Sequence, residues 1–237
     1  MVGVQLDFND DILNISINGK YIGNIGYSTN PYHNGHYYLK LHLQQYDVRA
    51  AKAIFSLISS RMDKSLQIML SSTENEIVSF IQEAGFCCKR KSYQIEALKQ
   101  DYIGEKTVEP LSYATKGNSA YMACCEMMLD RYIATHKDIN PWTGTKEAFF
   151  ALLPQVVFYE QDIDRIKNFG FVEDNEIAYV YGTDRIAFIN FAQRLITKMF
   201  EKNETILFEA DDCDEYAVEL RKLFTNQSEE SFDTYIL

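Results

Sequence analysis

Residues 37–98 and residues 176–237 pass through one order of elements: strand, helix, strand, helix, strand. A repeat on that scale constrains the fold more than any other feature of the chain. In the first pass Tyr37, Leu39, Leu41 and Leu43 alternate with Tyr38, Lys40 and His42, which predicts a half-buried strand. Val48, Ala51, Phe55, Ile58 and Met62 then fall at three- and four-residue steps, the signature of a helix with one buried face over 48–62. A short apolar strand over 66–70 follows. Thr73 and Glu76 have the spacing of a capping box, and Ile77, Phe80, Ile81 and Ala84 give the next helix its inner face. Gly85 is placed to end that helix in a left-handed cap, and a strand over 88–98 closes the pass.

The second pass is predicted as strand 176–181, helix 186–201, strand 205–210, helix 212–224 and strand 232–237. The two long helices share texture as well as position. Ser56-Leu57-Ile58-Ser59-Ser60-Arg61-Met62-Asp63-Lys64 stands opposite Arg194-Leu195-Ile196-Thr197-Lys198-Met199-Phe200-Glu201-Lys202. What precedes each pass differs. Ahead of the first are strands 12–17 and 20–27 joined by Asn18-Gly19, a pair suited to the positive φ angles of a tight hairpin, and a polar loop over 28–35. Ahead of the second, a polar, turn-rich stretch over 101–117 marks a boundary. Helices over 119–134 and 146–153 follow, joined through Asn140-Pro141-Trp142, then strands 155–159 and 166–173 with a turn at Asp174-Asn175.

Charge is unevenly spread. Residues 1–100 carry 10 Lys+Arg against 9 Asp+Glu, whereas residues 101–237 carry 13 against 25, for an overall charge of -11. Phosphate contacts need clustered cations, so a nucleic-acid partner is not expected. An anionic ligand is better tolerated by the neutral half, and a cationic one by the acidic half. No run is long and apolar enough to span a bilayer, and the start of the chain, with Asp7, Asp10 and Asp11, lacks the pattern of a secretory signal. These features predict a cytoplasmic protein with no membrane partner. The five cysteines, Cys87-Cys88, Cys124-Cys125 and Cys213, match neither a disulfide framework nor a zinc spacing and are read as reduced thiols.

The order of elements resembles the GNAT N-acetyltransferase superfamily, with two helices before a run of antiparallel strands and then helix, strand, helix, strand. Ile77-Val78-Ser79-Phe80-Ile81-Gln82-Glu83-Ala84-Gly85-Phe86 is similar to that family's late helix ending in Gly-Phe, and Ile206-Leu207-Phe208-Glu209-Ala210-Asp211 to the strand before it. The resemblance implies an α/β (α+β) chain of two tandem GNAT-like domains. Each is a mixed, mostly antiparallel sheet flanked by helices, a truncated domain over 1–100 lacking its leading helices and a complete one over 101–237.

The resemblance further implies acetyl-CoA as co-substrate, gripped where two neighbouring strands splay and a helix begins. In the first half this places it against Leu41, Leu43, Gln45, Val48, Arg49, Ala50 and Lys52. Gln45 and Ala50 match the outer positions of the family's phosphate-binding turn, with Val48 where a glycine is expected; Thr183 to Phe188 matches none of the three. Arg49 and Lys52 can hold phosphate by side chain, or only solvate a helix start. The tyrosine that protonates the leaving thiolate in the family corresponds to Ile81 in one half and Arg221 in the other.

Other clusters read more plainly. His33 and His36 are spaced for a metal but sit in a loop with no third ligand, and Asp211, Asp212, Asp214 and Glu215 suit a helix start as well as a cation. No metal is expected. The leading reading is an N-acyltransferase acting on a small-molecule or peptide amine. Its rival is a catalytically degenerate pair that binds a ligand or partner, motivated by the missing glycines and tyrosine. A homodimer whose subunits share one cleft stays open.

Overall fold

The computed structural model describes residues 3–107, 109–163 and 165–237. The chain runs β1 (Val4–Asn9), β2 (Ile12–Ile17), β3 (Lys20–Asn30), β4 (His33–Leu43), α1 (Val48–Ser59), β5 (Ser65–Ser71), α2 (Asn75–Glu83), β6 (Cys87–Leu98) and β7 (Ser112–Thr115). It continues through α3 (Ser119–His136), α4 (Lys146–Leu152), β8 (Val156–Asp162), β9 (Arg165–Glu173), β10 (Glu176–Gly182), α5 (Arg185–Met199), β11 (Thr205–Asp211), α6 (Glu215–Arg221) and β12 (Phe232–Ile236).

Both passes of the repeat fold as their periodicity predicts, and the hairpin turn at Asn18-Gly19 has the expected positive φ angles of 51° and 78°. Gly85, at φ 105°, ends α2. Three local expectations change. The capping box at Thr73 and Glu76 does not form: Glu74 is the N-cap residue and makes no side-chain cap bond, while its carboxylate accepts from the Ser71 backbone N–H at 3.2 Å. The loop foreseen over 28–35 shrinks to the turn between Asn30 and His33, with strand on both sides. Two strands were not foreseen, β1, which pairs with β2 through a turn at Asp10 with φ 48°, and β7, inside the stretch read as a boundary. β1 does carry the signal, since Val4, Leu6 and Phe8 alternate with Gln5, Asp7 and Asn9, but its turn lacks a glycine; β7, four residues long, is too short to show one.

The chain divides into two compact units, and they are not the sequence halves. Unit 1 comprises Met1–Lys91, His136–Gly144 and Glu230–Leu237; unit 2 comprises Ser92–Thr135 and Thr145–Glu229. Strand order in unit 1 is β1-β2-β3-β4-β5-β12, and in unit 2 β6-β11-β10-β9-β8-β7, with β6 changing unit after Lys91. Each is a mixed, largely antiparallel sheet with one parallel pair, β4 with β5 and β10 with β11. The closing strands are exchanged. The first pass ends in β6, yet the strand antiparallel to β5 is β12, with Phe232 opposite Ser71 and Ile236 opposite Gln67. The second pass ends in β12, yet the strand antiparallel to β11 is β6, with Leu98 opposite Thr205 and Ser92 opposite Asp211.

Each unit has its own apolar core. In unit 1, α1 lays Ala50, Ala51, Ile54, Phe55 and Ile58 on Leu13, Ile15, Ile25, Leu66 and Ile68, and α2 adds Phe80 and Ile81. In unit 2, Phe188, Phe191, Leu195 and Ile196 of α5 meet Ile206 and Phe208 of β11 and Leu220 of α6. Each fully buried side chain of this size contributes about 1.5–3 kcal/mol, so these two clusters dominate the stability of their units.

Candidate functional site

In each unit the parallel pair starts together and then parts. Within unit 1, β4 pairs with β5 only at His36–Ser65, Tyr37–Leu66 and Tyr38–Gln67. Beyond Tyr38, residues Leu39 to Leu43 pair only with β3, where Leu41 faces Ile25 and Leu43 faces Gly23. Gly23 is needed there: at φ 131° a side chain is strained, and an added Cβ would lie 2.3 Å from the carbonyl oxygen of His42. Within unit 2, β10 pairs with β11 only at Glu176–Leu207 and Ile177–Phe208. A bulge between Ile177 and Tyr179 shifts the β9 register just where β10 leaves β11, and bulges bend strands. From Tyr179 to Gly182 the strand pairs with β9 alone. Each gap therefore offers strand edge that nothing in its own sheet takes up, below the start of a helix.

An aspartate closes each of those helix starts. The Asp47 carboxylate caps α1, accepting from the Arg49 backbone N–H at 3.0 Å and from Arg49 Nε and Nη2 at 2.9 Å each. These bonds from Arg49 hold the Asp47 carboxyl below the usual range. Asp184 caps α5 by accepting from the Ala187 N–H at 2.9 Å. An N-cap carboxylate uses the amide donors and the positive helix end that would otherwise meet a diphosphate. The residues read as gripping acetyl-CoA are thus dispersed in role. Leu41 and Leu43 are half-buried in β4, Gln45, Val48 and Lys52 are exposed, Ala50 is buried in the unit 1 core, and Arg49 is held by its own cap. At the other helix start Arg185 meets Glu219 at 2.9 Å, and Glu219 also accepts from Lys222 Nζ at 2.8 Å.

Unit 2 has a cleft where β10 ends. Met127, Asp130, Arg131, Arg165, Tyr181, Gly182, Thr183 and Tyr216 line it. A second hollow along α3 shares Met127 and Arg165 and adds Ser119, Ala120, Ala123, Gln161 and Ile166. The two adjoin at Met127 and Arg165 and are taken together as a groove along α3. Tyr216 sits in the first turn of α6, its ring 4.9 Å from Phe188 and 6.1 Å from Tyr181. Burial, and then the neighbouring Glu215, push its phenol above the usual value of 10.0, so it stays protonated at neutral pH. Arg131 lies 5.3 Å over the Tyr216 ring and bonds Asp214 at 3.1 Å and Glu215 at 3.4 Å. Desolvation raises the Asp214 carboxyl despite that arginine.

Neither residue at the expected tyrosine position can supply a phenol. Ile81 is buried in the unit 1 core, and Arg221 stacks 3.7 Å over Tyr93 and donates to Gln227 Oε1 at 2.8 Å. Tyr216, five positions earlier in the same helix, was legible as a residue type but had no spacing signal. His33 and His36 serve a different end: His33 Nδ1 bonds the carbonyl of Asn140 and His36 Nε2 that of Ile139, both at 2.7 Å. Among the described residues no group of His, Cys, Asp or Glu is arranged to hold a metal. The acidic cluster divides, Asp211 accepting from the Ser92 hydroxyl and Asp214 capping α6. All five cysteines are free thiols, and burial pushes that of Cys124 up to about 12. No helix among the described residues is long and apolar enough to cross a membrane.

No protein-family model matches the sequence, and no curated protein does. Solved structures do match. A GCN5-related N-acetyltransferase from Sphaerobacter thermophilus superposes with a TM-score of 0.59 at 11% identity, over 98% of this chain and 82% of that one. Another from Kribbella flavida gives a TM-score of 0.52 at 9% identity, over 98% of this chain and 89% of that one. At such identities the likeness is one of fold, and the fold of this chain is that of the GCN5-related N-acetyltransferases.

Proposed function

We propose that the protein is an acyl-CoA-dependent N-acyltransferase, built from two tandem copies of one fold, that moves an acetyl group from acetyl-CoA to an amine in the groove of unit 2. The observation that carries this reading is the parting of β10 from β11 beside Tyr216. Free strand edge can bond the amides of a pantetheine arm as a further strand would. That arm delivers the thioester carbonyl to the inner end of the groove. The amine nitrogen attacks this carbonyl, a C–N bond forms, and the C–S bond breaks. The ammonium proton leaves to water at the groove mouth, and Tyr216 gives its proton to the departing thiolate.

Titration with acetyl-CoA tests the reading. Heat is expected, and Arg185→Glu should weaken binding about tenfold, or about 1.4 kcal/mol. If Arg49→Glu weakens it instead, the donor belongs at Leu41, Leu43, Gln45, Val48, Arg49, Ala50 and Lys52 of unit 1. No heat at millimolar concentration removes the proposal.

One observation favours a second reading, a pair of binding domains without chemistry: Asp47 and Asp184 each cap the helix end where a diphosphate would rest. Thiol release from acetyl-CoA with any amine eliminates it.

A further inference from the structure

Arg165 opens β9 and is exposed, and it lines both parts of the unit 2 groove. The groove's other arginine, Arg131, is committed to Asp214 and Glu215. Among the described residues the Arg165 guanidinium makes no ion pair or hydrogen bond, although the residue pairs with Asp162 in the β8–β9 ladder. An unengaged guanidinium at the waist of a groove, in a half of the chain carrying 25 Asp+Glu against 13 Lys+Arg, has its planar donor fork open to a ligand. The remaining wall supplies two more pieces of chemistry. Asp130 is the acidic residue of the inner hollow, and Ala120, Ala123, Met127 and Ile166 present apolar surface along α3 and β9.

We infer that the acyl acceptor is an amino acid with an apolar side chain. Its carboxylate pairs with Arg165, its ammonium faces Asp130, and its side chain lies on Ala120, Ala123, Met127 and Ile166. This rests on the acyl-transfer reading and narrows its substrate class. The products are an N-acyl amino acid, the free thiol and one proton. The amino nitrogen gains the acyl carbon and gives up two protons to solvent, one before attack and one after it. The thioester sulfur leaves with the phenolic proton of Tyr216, and solvent returns one of the two protons to the phenolate while the other is the net proton released.

Matched pairs decide the matter, with thiol release from acetyl-CoA as readout: leucine against isoamylamine, and phenylalanine against phenethylamine. The amino acid of each pair is expected to show at least about tenfold higher kcat/KM, the scale of one charge-assisted pair. Arg165→Gln should erase that preference through a higher KM for the amino acid at little-changed kcat, and Arg165→Lys should restore part of it. Three outcomes overturn the inference: amines used as well as amino acids, Arg165→Gln lowering both members alike, or Arg165→Gln abolishing acetyl-CoA heat. Acetyl-CoA heat without thiol release on any of the paired compounds also overturns it, while donor binding stands. Absence of acetyl-CoA heat in the wild type is a different failure, that of the acyl-transfer reading itself.

Discussion

Gly182, the last residue of β10, has no room for a side chain because Tyr216 fills the space beside it: an added Cβ would lie 2.8 Å from Tyr216 Cε1. It would also come within 2.9 Å of Phe188 Cβ and 3.1 Å of Asn168 Oδ1, so three elements would have to yield together. Overpacking of this kind costs about 1–3 kcal/mol. Gly182→Ala should lower unfolding free energy by that amount in urea titrations. Gly26→Ala is the control, since its Cβ would meet nothing nearer than the Lys40 carbonyl oxygen at 3.9 Å. Equal stability of the two variants would show that Tyr216 is not held as described.

The same ring makes Tyr216→Phe informative. Phenylalanine keeps the contacts with Phe188 and Tyr181, so the melting temperature should barely change. Without the phenolic proton, kcat should fall about 10²–10⁴-fold while the KM for acetyl-CoA holds. Because burial raises the Tyr216 phenol above 10.0, the wild-type rate should not decline on deprotonation of this group until above that pH. Full activity in the phenylalanine variant would assign the proton to another donor.

Arg131 and Asp214 are a largely buried pair, with side chains 21% and 20% exposed. Removing one partner strands the other's charge, at about 3 kcal/mol for a buried pair and less where water reaches it. Arg131→Ala should therefore destabilise unit 2 by about 2–3 kcal/mol, because Asp214 is left desolvated and its carboxyl is already raised by burial. Adding Asp214→Asn, which keeps a capping side chain for α6, should recover part of that loss. Additive losses in this double-mutant cycle would mean that the pair carries no coupling.

His36 gives unit 1 a pH dependence of definite sign. Burial lowers its folded pKa below 6.5, outweighing the bond from Nε2 to the Ile139 carbonyl. The unfolded chain thus takes up the proton first. The stability tied to neutral His36 is complete above 6.5 and is lost as pH falls from there through the lower folded value. Denaturant midpoints measured from about pH 7 to about pH 5 should fall, and His36→Gln should flatten that slope. An unchanged slope in the variant would place the effect elsewhere.

Local periodicity carried most of the fold. The inner faces of α1 and α5 are spelled by residues such as Phe55, Ile58, Phe191 and Leu195, and these are buried. What could not be read was pairing between distant strands, because β6 and β12 carry alternation suitable for either neighbour and no local rule says which sheet they join. The site was less legible. Glycine-rich turns announce phosphate binding through a motif, whereas a gap between strands is a register that stops early, as it does after Tyr38 and after Ile177. Tyr216 and Arg165 come together with the groove through β9, β10 and α6, and no fixed spacing joins them in the chain.

The exchange of closing strands yields the most demanding prediction. β12 lies 161 positions after the β5 residue it begins beside, Phe232 opposite Ser71, yet its Thr234 and Tyr235 are only 0% and 3% exposed. Leu66 and Leu237 exchange backbone hydrogen bonds at 3.0 and 3.1 Å, so the ladder runs to the end of the chain. Stopping the chain after Glu229 would expose the β5 edge and open the core beside Ile68. The shortened protein should lose amide-exchange protection across β4, β5 and α1, while β8 to β10 keep theirs. A fragment of residues 1–100 should likewise fail to fold, although it contains a whole pass of the repeat. A cooperatively folded 1–100 fragment would show that β6 can close its own sheet, which is the pairing the sequence order suggests and the structure replaces.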